Sequence, residues 1–304
     1  MRFIDFLVLF LLFVCLFIGI FFLWESLPTE DFDFEKYYTN LSFDLPQNSS
    51  QFYPNMRYVD ENIGYAISQN CSQKKQRDFE RAVALLESKT ILKFFPSDAP
   101  ELLVSCSNIA PKPEEERHFV AGEGGPTTII NASRYAVIFL GKIALYRPET
   151  CETPQIAVHE LLHALGFDHN NNSASIMFPY TDCKQTIDQN IIDDINNLYS
   201  QSSEGDIVIE DLTANKTGRY LNFEITTANY GLKKITSPKL SLIVGNEIIK
   251  TFEIKDLDVG AKRSLNVENL KVPRNAEEIT FNIETIEKEI SKENNIVKMK
   301  VLIS

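Results

Sequence analysis

The chain has 304 residues, 44% of them apolar, and a formal net charge of −12 at pH 7. This length suffices for two domains of ordinary size, and the apolar content is typical of globular rather than disordered proteins. The negative charge opposes binding to nucleic acids and to anionic lipid surfaces through electrostatic repulsion, so no nucleic-acid partner is expected.

The N-terminus carries an unbroken apolar run over residues 6–24. A helix of this length, at about 1.5 Å per residue, matches a hydrocarbon core about 30 Å thick. Arg2 precedes the run and acidic residues follow it, so the positive-inside bias places residue 1 in the cytoplasm and the remainder outside. Residues 1–24 are therefore predicted to form a transmembrane signal anchor of a single-pass cell-membrane protein. The alternative is a cleaved signal peptide and a secreted protein, although no A-x-A-type cleavage site follows the run.

Residues 25–56 are rich in acidic, Asn, Ser and Pro residues without a steady hydrophobic period, which predicts an acidic stalk. Beyond them the pattern is that of a folded domain, with apolar positions at helical spacing over residues 73–88. The glycine-rich residues 122–126 lack the GK[ST] ending of a phosphate loop and predict a flexible turn near a cleft. Short apolar runs predict further strands, at residues 63–67, 91–95, 102–106 and 136–146.

The run HELLHALGFDH, residues 159–169, holds three of the four histidines of the chain. A helix is predicted from about 154 to 165, with Thr153 as its N-cap. On this helix, His159 and His163 lie one turn apart on one face, so their imidazoles can share a metal ion. The neighbouring Glu160 is rotated by about 100° around the helix axis, which directs its carboxylate beside the metal rather than at it.

Gly166 follows the second histidine by three residues and can adopt a positive φ that ends the helix in a left-handed turn. The chain then doubles back and brings His169 to the position of a third metal ligand. Three imidazoles around one Zn²⁺ leave a fourth position open, which distinguishes a catalytic zinc from a structural one. Glu160 can then accept a proton from water and later deliver it to a leaving amine, so the predicted reaction is amide hydrolysis.

The motif HExxHxxGxxH, followed by the run SIMFPY, resembles the metzincin metallopeptidases and in particular the matrixins. The resemblance implies an α+β catalytic domain over residues 57–200, with a mixed sheet and a zinc helix, that acts on a polypeptide substrate. It also implies that Met177 lies beneath the zinc and that Pro179 forms a wall of the specificity pocket. Matrixins commonly have Ser after the third histidine and Tyr two residues after this proline, where the chain has Asn170 and Thr181.

One catalytic Zn²⁺ is expected. A second, structural zinc needs several ligands, and His118 is the one histidine outside the motif. Calcium binding stays open, because the sequence contains no DxDxDG-type loop but scattered backbone oxygens can also bind this ion.

Four cysteines follow the apolar run: Cys71, Cys106, Cys151 and Cys183. An even number outside the cytoplasm predicts two disulfides, for which three connectivities exist, and four reduced thiols are the alternative. A metzincin-like fold draws together the start of the zinc helix and the end of the methionine turn, which favours a bond between Cys151 and Cys183.

An amphipathic helix is predicted over residues 185–199, followed by a polar linker over 201–205. Apolar and polar residues then alternate, which predicts an all-β, seven-stranded, immunoglobulin-like sandwich over 206–304 with a hairpin turn at 244–247. The sandwich resembles the CARDB type of adhesion-related domain, which implies either a spacer or a binding site for a cell-surface ligand. The motifs that carry this resemblance are residues 206–209, 229–231, 257–260 and 293–295.

The sequence as a whole predicts a membrane-anchored, extracytoplasmic zinc endopeptidase. The alternative is a surface adhesion or scaffold protein that acts through the β-sandwich and has a vestigial zinc domain. The intact residues of the zinc motif and the methionine that follows them favour the enzyme.

Overall fold

The computed structural model describes residues 3–26, 31–32, 34–37, 50–112 and 120–301. Its first helix, α1, spans Phe3–Ser26. Within the described residues, no helix combines the length and apolar character that a membrane crossing requires. The transmembrane helix predicted over residues 6–24 therefore has no support from the structure.

The segment predicted as a stalk adds two short strands to the C-terminal sandwich. Strand β1 (Asp31–Phe32) pairs with residues 216–217, and β2 (Phe34–Tyr37) pairs with residues 298–301. Both partners belong to the C-terminal sandwich. Short edge strands pair through backbone groups, which explains why this pairing leaves no hydrophobic period in the sequence.

The predicted mixed sheet and its helices are confirmed in an α+β domain. The sheet has the order β3-β8-β6-β4-β5, in which all neighbours are parallel, and β7 pairs antiparallel with β8. The elements are β3 (Met56–Tyr58), β4 (Asn62–Ile67), α2 (Gln73–Lys89), β5 (Lys93–Pro96), β6 (Leu102–Cys106), β7 (Gly122–Asn131), β8 (Ala136–Leu145), α3 (Gln155–Ala164) and α4 (Gln189–Tyr199).

The helices pack on the sheet through one apolar core. Phe79 and Leu86 of α2 and Leu161 of α3 are fully buried in it, together with Ile63 and Ile138 of the sheet. Burying each such side chain contributes about 1.5 to 3 kcal/mol relative to leaving it in water. This core fixes α3, which carries the zinc motif, against the sheet.

The prediction of a flexible turn at residues 122–126 is wrong, because these residues begin strand β7. Their ladder with β8 runs from the pair Gly122 and Leu145 to the pair Asn131 and Ala136. An antiparallel partner satisfies the backbone groups of a glycine-rich segment that has a low strand propensity of its own. The sequence did not show this strand because the glycine-rich segment lies at the open end of the hairpin and pairs with residues 141–145, far from the turn.

The C-terminal unit consists of antiparallel sheets, as predicted. Seven of its strands follow residue 206, and Phe223 of one sheet packs edge-on against Phe281 of the other, with ring centroids 5.1 Å apart. One sheet has the order β1-β9-β10-β13 and the other β12-β11-β14-β15-β2. The strands are β9 (Ile207–Thr217), β10 (Tyr220–Asn229), β11 (Lys239–Val244), β12 (Glu247–Glu253), β13 (Lys262–Lys271), β14 (Glu278–Glu284) and β15 (Ile296–Val301).

The sandwich packs against the turn end of the β7–β8 hairpin. Tyr135 and Leu232 share a small buried apolar cluster across this contact. Beside it, Nη1 of Arg134 lies 3.6 Å from Oδ2 of the fully buried Asp206. A Cβ added to Gly260 would lie 2.8 Å from the backbone oxygen of Asn131, so the two backbones are in close contact. The β7–β8 hairpin thus links the α+β domain to the sandwich.

Candidate active site

The zinc helix α3 starts one residue later than its sequence predicts. Its N-cap is Pro154 rather than Thr153, and no side chain caps it from that position. The buried carboxylate of Glu149 instead accepts the N–H of Ile156 at 3.0 Å and the N–H groups of Thr150 and Cys151, each at 2.8 Å. A carboxylate at this end of the helix also interacts favourably with the helix dipole. Glu149 therefore fixes the start of α3, a role that its sequence context did not indicate.

Three imidazoles converge beyond the C-terminal half of this helix. The Nε2 atom of His163 lies 3.0 Å from Nε2 of His159 and 3.1 Å from Nε2 of His169, and the remaining Nε2 pair is 3.2 Å apart. His159 and His163 are buried, whereas His169 is exposed to the cleft. The structure thus brings together the three histidines predicted as metal ligands.

Gly166 makes the turn between the second and third histidines. Its φ of 96° lies in the left-handed region that favours glycine. A Cβ at this position would also lie 2.6 Å from Cγ of Met56, which is too close for any side chain. Both the backbone conformation and the packing therefore require glycine at residue 166.

The hydrogen bonds of the buried histidines define their tautomers. Nδ1 of His159 lies 2.6 Å from the carbonyl oxygen of Ile176, and Nδ1 of His163 lies 2.7 Å from that of Phe167. Because a carbonyl oxygen only accepts, each Nδ1 carries the proton and each Nε2 presents a lone pair. Two lone pairs that face each other at 3.0 Å repel, unless a cation lies between them.

Burial keeps these ligands neutral. It lowers the pKa of His159 and of His163 to about 4, and it also lowers the pKa of the more exposed His169. Neutral imidazole is the form that binds a metal ion, so at pH 7 the site binds metal without releasing protons from these rings.

Strand β7 covers Glu160, the residue beside the first histidine. A Cβ on Gly122 would lie 2.7 Å from Cγ of Glu160, and one on Gly124 would collide with the backbone carbonyl of Glu160. The strand approaches the helix closely because both positions are glycine. The resulting burial raises the pKa of Glu160 to about 8, and the nearby carboxylate of Glu123 adds to the shift.

Met177 and Pro179, predicted beneath the zinc and in a pocket wall, lie in the segment after His169. Met177 is fully buried and donates its N–H to Oγ of Ser175 at 3.0 Å. Pro179 is exposed and lines the cleft. Tyr180 is also exposed there, with its ring 5.8 Å from that of Phe178.

The histidines and Glu160 line an open cleft of about 970 Å³. One wall is the start of β7 and the segment before it, residues 120–124, and the other is formed by residues 179–183. The second wall is joined to the start of the zinc helix by a disulfide between Cys151 and Cys183. The remaining pair, Cys71 and Cys106, is also a disulfide.

Two buried glutamines support the same wall. Gln155 donates its amide N–H groups to the backbone oxygens of Cys183 at 3.2 Å and of Gln185 at 3.0 Å. The Gln185 side chain donates to the oxygen of Tyr180 at 2.9 Å and accepts the N–H of Asp182 at 2.8 Å. The sequence predicts residues 185–188 as the first turn of the last helix. The Gln185 side chain instead contacts the wall of residues 179–183, and α4 begins only at Gln189.

The sequence did not indicate the contact made by Phe52. Its ring stacks on the His163 imidazole with centroids 5.8 Å apart, and its N–H donates to the oxygen of Gly166 at 2.9 Å. Residues 50–56, predicted as the end of a stalk, thus belong to the histidine site. His118, predicted to have no metal-binding role, lies outside the described residues.

Residues 57–200 match the family model described as Matrixin. A search of curated proteins found no match for the chain. The match runs from β3 to the end of α4, leaves out residues 50–56, and includes the three convergent histidines. Together, the family match and the histidine cluster indicate a matrixin-like zinc metallopeptidase domain.

Proposed function

We propose that this domain is a zinc-dependent endopeptidase that works outside the cytoplasm. The observation that carries the proposal is the convergence of three imidazole Nε2 atoms, 3.0–3.2 Å apart, in an open cleft that Glu160 also lines. Neither the sandwich nor α1 presents a comparable cluster among the described residues.

The residues present fit one Zn²⁺ ion. His159, His163 and His169 supply three neutral nitrogen ligands, which is a common ligand set of catalytic zinc. When bound, zinc acts as a Lewis acid toward water and toward the carbonyl group of the substrate. Its positive charge also favours the ionised form of a nearby carboxylate, which opposes the effect of burial on the pKa of Glu160.

Glu160 is the proton carrier of the proposed reaction. Its carboxylate accepts a proton from the attacking water as the oxygen of that water bonds to the carbonyl carbon. The same proton then passes to the amide nitrogen as the C–N bond breaks, so the products are an amine and a carboxylic acid that keeps the second proton of the water. The cover of β7 over Glu160 limits the water around this carboxylate, and proton transfer is thereby directed to the reacting groups.

The cleavage of internal peptide bonds is supported by strand β7. Among the described strands it pairs with β8 alone, and its first residues line the cleft. A strand edge can hydrogen-bond an extended peptide through backbone groups at any point along its length. Recognition of this kind needs neither terminus of the substrate, as endopeptidase activity requires.

The two disulfides support a location outside the cytoplasm, because thiols in the cytosol are normally kept reduced. We include in the proposal the membrane attachment through residues 6–24 that the sequence predicts. The supporting feature is the continuous apolar run itself. Membrane attachment is tested by cell fractionation, independently of the test of the peptidase chemistry.

The test of the chemistry is a set of three substitutions in the full chain. Glu160→Gln should retain stoichiometric zinc while peptide turnover falls by about 10²- to 10⁴-fold, the usual contribution of a general acid–base group. His163→Ala should lose both zinc and activity, because it removes a ligand. Glu80→Gln makes the same chemical change at an exposed position on α2 and should change neither.

Metal content is measured by elemental analysis, and turnover with a fluorogenic peptide whose cleavage products are identified by mass spectrometry. Near-normal turnover by Glu160→Gln would remove this residue from the mechanism. Stoichiometric zinc in His163→Ala would show that the ligand set is wrong. The release of single terminal residues alone would exclude an endopeptidase.

A further inference from the structure

The third histidine differs from the other two in how its ring is held. The Nδ1 atoms of His159 and His163 each donate to a backbone carbonyl, whereas within the described part of the chain the Nδ1 of His169 has no such partner and its Nε2 faces the other two Nε2 atoms at 3.1 and 3.2 Å. The direction of this ring therefore depends on the backbone on either side of it. His169 N donates to Oδ1 of Asp168 at 2.7 Å, and the N–H of Asn170 donates to the oxygen of Met177 at 3.0 Å.

The contact between Asn170 and Met177 joins two ends of a loop, and a buried hydroxyl fixes both of them. Oγ of the fully buried Ser175 accepts Nδ2 of Asn170 at 2.8 Å and the N–H of Met177 at 3.0 Å. The same hydroxyl donates its own proton to Oδ2 of Asp188. A hydroxyl that accepts two hydrogen bonds and donates one has no freedom to rotate.

Asp188 is the charged group on which these bonds converge. Its Oδ2 also accepts Nδ2 of Asn170 at 3.3 Å, and its Oδ1 accepts Nδ2 of Asn172 at 3.2 Å. Hydrogen bonds to an ionised acceptor are roughly twice as strong as those between neutral groups. One carboxylate thus holds three residues of the loop between His169 and Met177.

We infer that Asp188 is a positioning residue for the metal site: through Ser175 and Asn170 it sets the backbone that directs the His169 imidazole. The inference rests on the proposed zinc-peptidase function. It adds a determinant of metal affinity that lies nineteen residues beyond the last ligand, in the segment that leads into α4.

The alternative role of Asp188 is that of a helix cap. It occupies the N-cap position of α4, where Asp commonly accepts a backbone N–H of the first turn. In this chain its side chain makes no capping hydrogen bond. The carboxylate is directed to the loop instead, so the two roles can be separated by substitution.

The experiment uses Asp188→Ser in the full chain, with Asp193→Ser as a matched control. Serine is as good an N-cap residue as aspartate, so the substitution does not weaken the start of the helix, but it removes the carboxylate that Ser175 and Asn170 contact. Asp193 is an exposed residue of the same helix, and its carboxylate accepts Nε2 of Gln189 at 2.9 Å. The zinc dissociation constant is measured by competition with a chromogenic chelator.

We expect Asp188→Ser to weaken zinc binding by about 10-fold or more, the range typical of residues that hold a metal ligand in place. Asp193→Ser should leave the affinity within about 2-fold of the wild type. The visible spectrum of the Co²⁺-substituted protein should change in intensity or position in Asp188→Ser alone, because the spectrum reports ligand geometry.

A second variant, Asn170→Ala, tests the route of the effect. Asn170 is only partly buried, so its truncation leaves the core unchanged. If both residues act through the same loop, the losses of zinc affinity in Asp188→Ser and Asn170→Ala are not additive. The double variant then binds zinc about as weakly as the single variant with the lower affinity. Fully additive losses would contradict a common route.

The outcomes separate the inference from the function on which it rests. Unchanged zinc affinity and an unchanged Co²⁺ spectrum in Asp188→Ser would overturn the positioning role while leaving the peptidase intact. A wild-type chain that binds no zinc would overturn the proposed function, and the positioning role with it. An equal loss of affinity in Asp193→Ser would show that helix stability, and not the loop contacts, controls the site.

Discussion

Replacement of Cys151 and Cys183 by alanine should have two separable effects, one on global stability and one on the cleft. The bond closes a loop with a sequence separation of 32 residues. In the chain-entropy model, a loop of this size stabilises the folded state by about 3.7 kcal/mol through restriction of the unfolded chain. For a domain of this size, that loss corresponds to a fall in Tm of roughly 10 °C.

The second disulfide supplies a matched control. Cys71 and Cys106 close a loop with a sequence separation of 35 residues, for which the same model gives about 3.8 kcal/mol. Replacement of either pair should therefore lower the melting temperature by a similar amount. The Cys71–Cys106 bond joins the start of α2 to the end of β6 and does not line the cleft.

The effect on the cleft should distinguish the two variants. Cys151 and Cys183 both line it, and their bond fixes the wall of residues 179–183 to the start of the zinc helix. Without the bond, the wall loses its covalent link to the zinc helix while the hydrogen bonds of Gln155 and Gln185 remain, and KM for a peptide substrate should rise. The Cys71/Cys106 variant should keep its KM at temperatures where it is folded.

The assay combines calorimetric melting of both double variants with peptidase kinetics well below the lower melting temperature. Equal changes in KM in the two variants would show that the Cys151–Cys183 bond has no specific role in the cleft. A Tm unchanged by loss of either pair would refute the loop-entropy argument itself.

Three further predictions concern β7, the domain contact and the N-terminus. Gly124→Ala should lower the free energy of unfolding in urea by about 1 to 3 kcal/mol, because the new Cβ meets the backbone of α3. Gly125→Ala should be nearly neutral, because its Cβ would meet no atom within 4 Å. Arg134→Ala leaves the carboxylate of Asp206 buried without its cationic partner and should cost about 3 kcal/mol of stability; an unchanged calorimetric profile would exclude this domain contact in solution. The chain should sediment with membranes and resist high-salt washing if residues 6–24 anchor it, whereas a soluble species that lacks them would support the secreted alternative.

The parts of the fold that the sequence predicts well are those with a local signal. The helical period over residues 73–88 corresponds to α2 at Gln73–Lys89, and the apolar run 102–106 corresponds to β6. The zinc motif is equally local, because the spacing of its residues is set by one helix and one glycine turn. Gly166 shows this directly, since its φ of 96° is a property of a single residue.

The features that the sequence did not predict depend on partners distant in the chain. Residues 122–126 have a poor strand composition and form β7 only because β8 supplies its hydrogen bonds. Glu149 caps the zinc helix from a loop, and Phe52 contacts His163 from a segment without hydrophobic period. Asp188 lies in the first turn of a run predicted as helical, so its contacts to the loop could not be inferred from helix periodicity.

The arrangement of β7 also bears on what the sandwich does. One end of the β7–β8 hairpin covers Glu160 through Gly122, and the other end contacts the sandwich at Asp206 and Gly260. These two sandwich residues lie within the motifs that resemble CARDB domains. A cell-surface ligand that used this end of the sandwich would have to displace the α+β domain, and would thereby shift the strand that encloses Glu160. The geometry therefore favours a sandwich that holds the hairpin in place, with any ligand bound at its other faces.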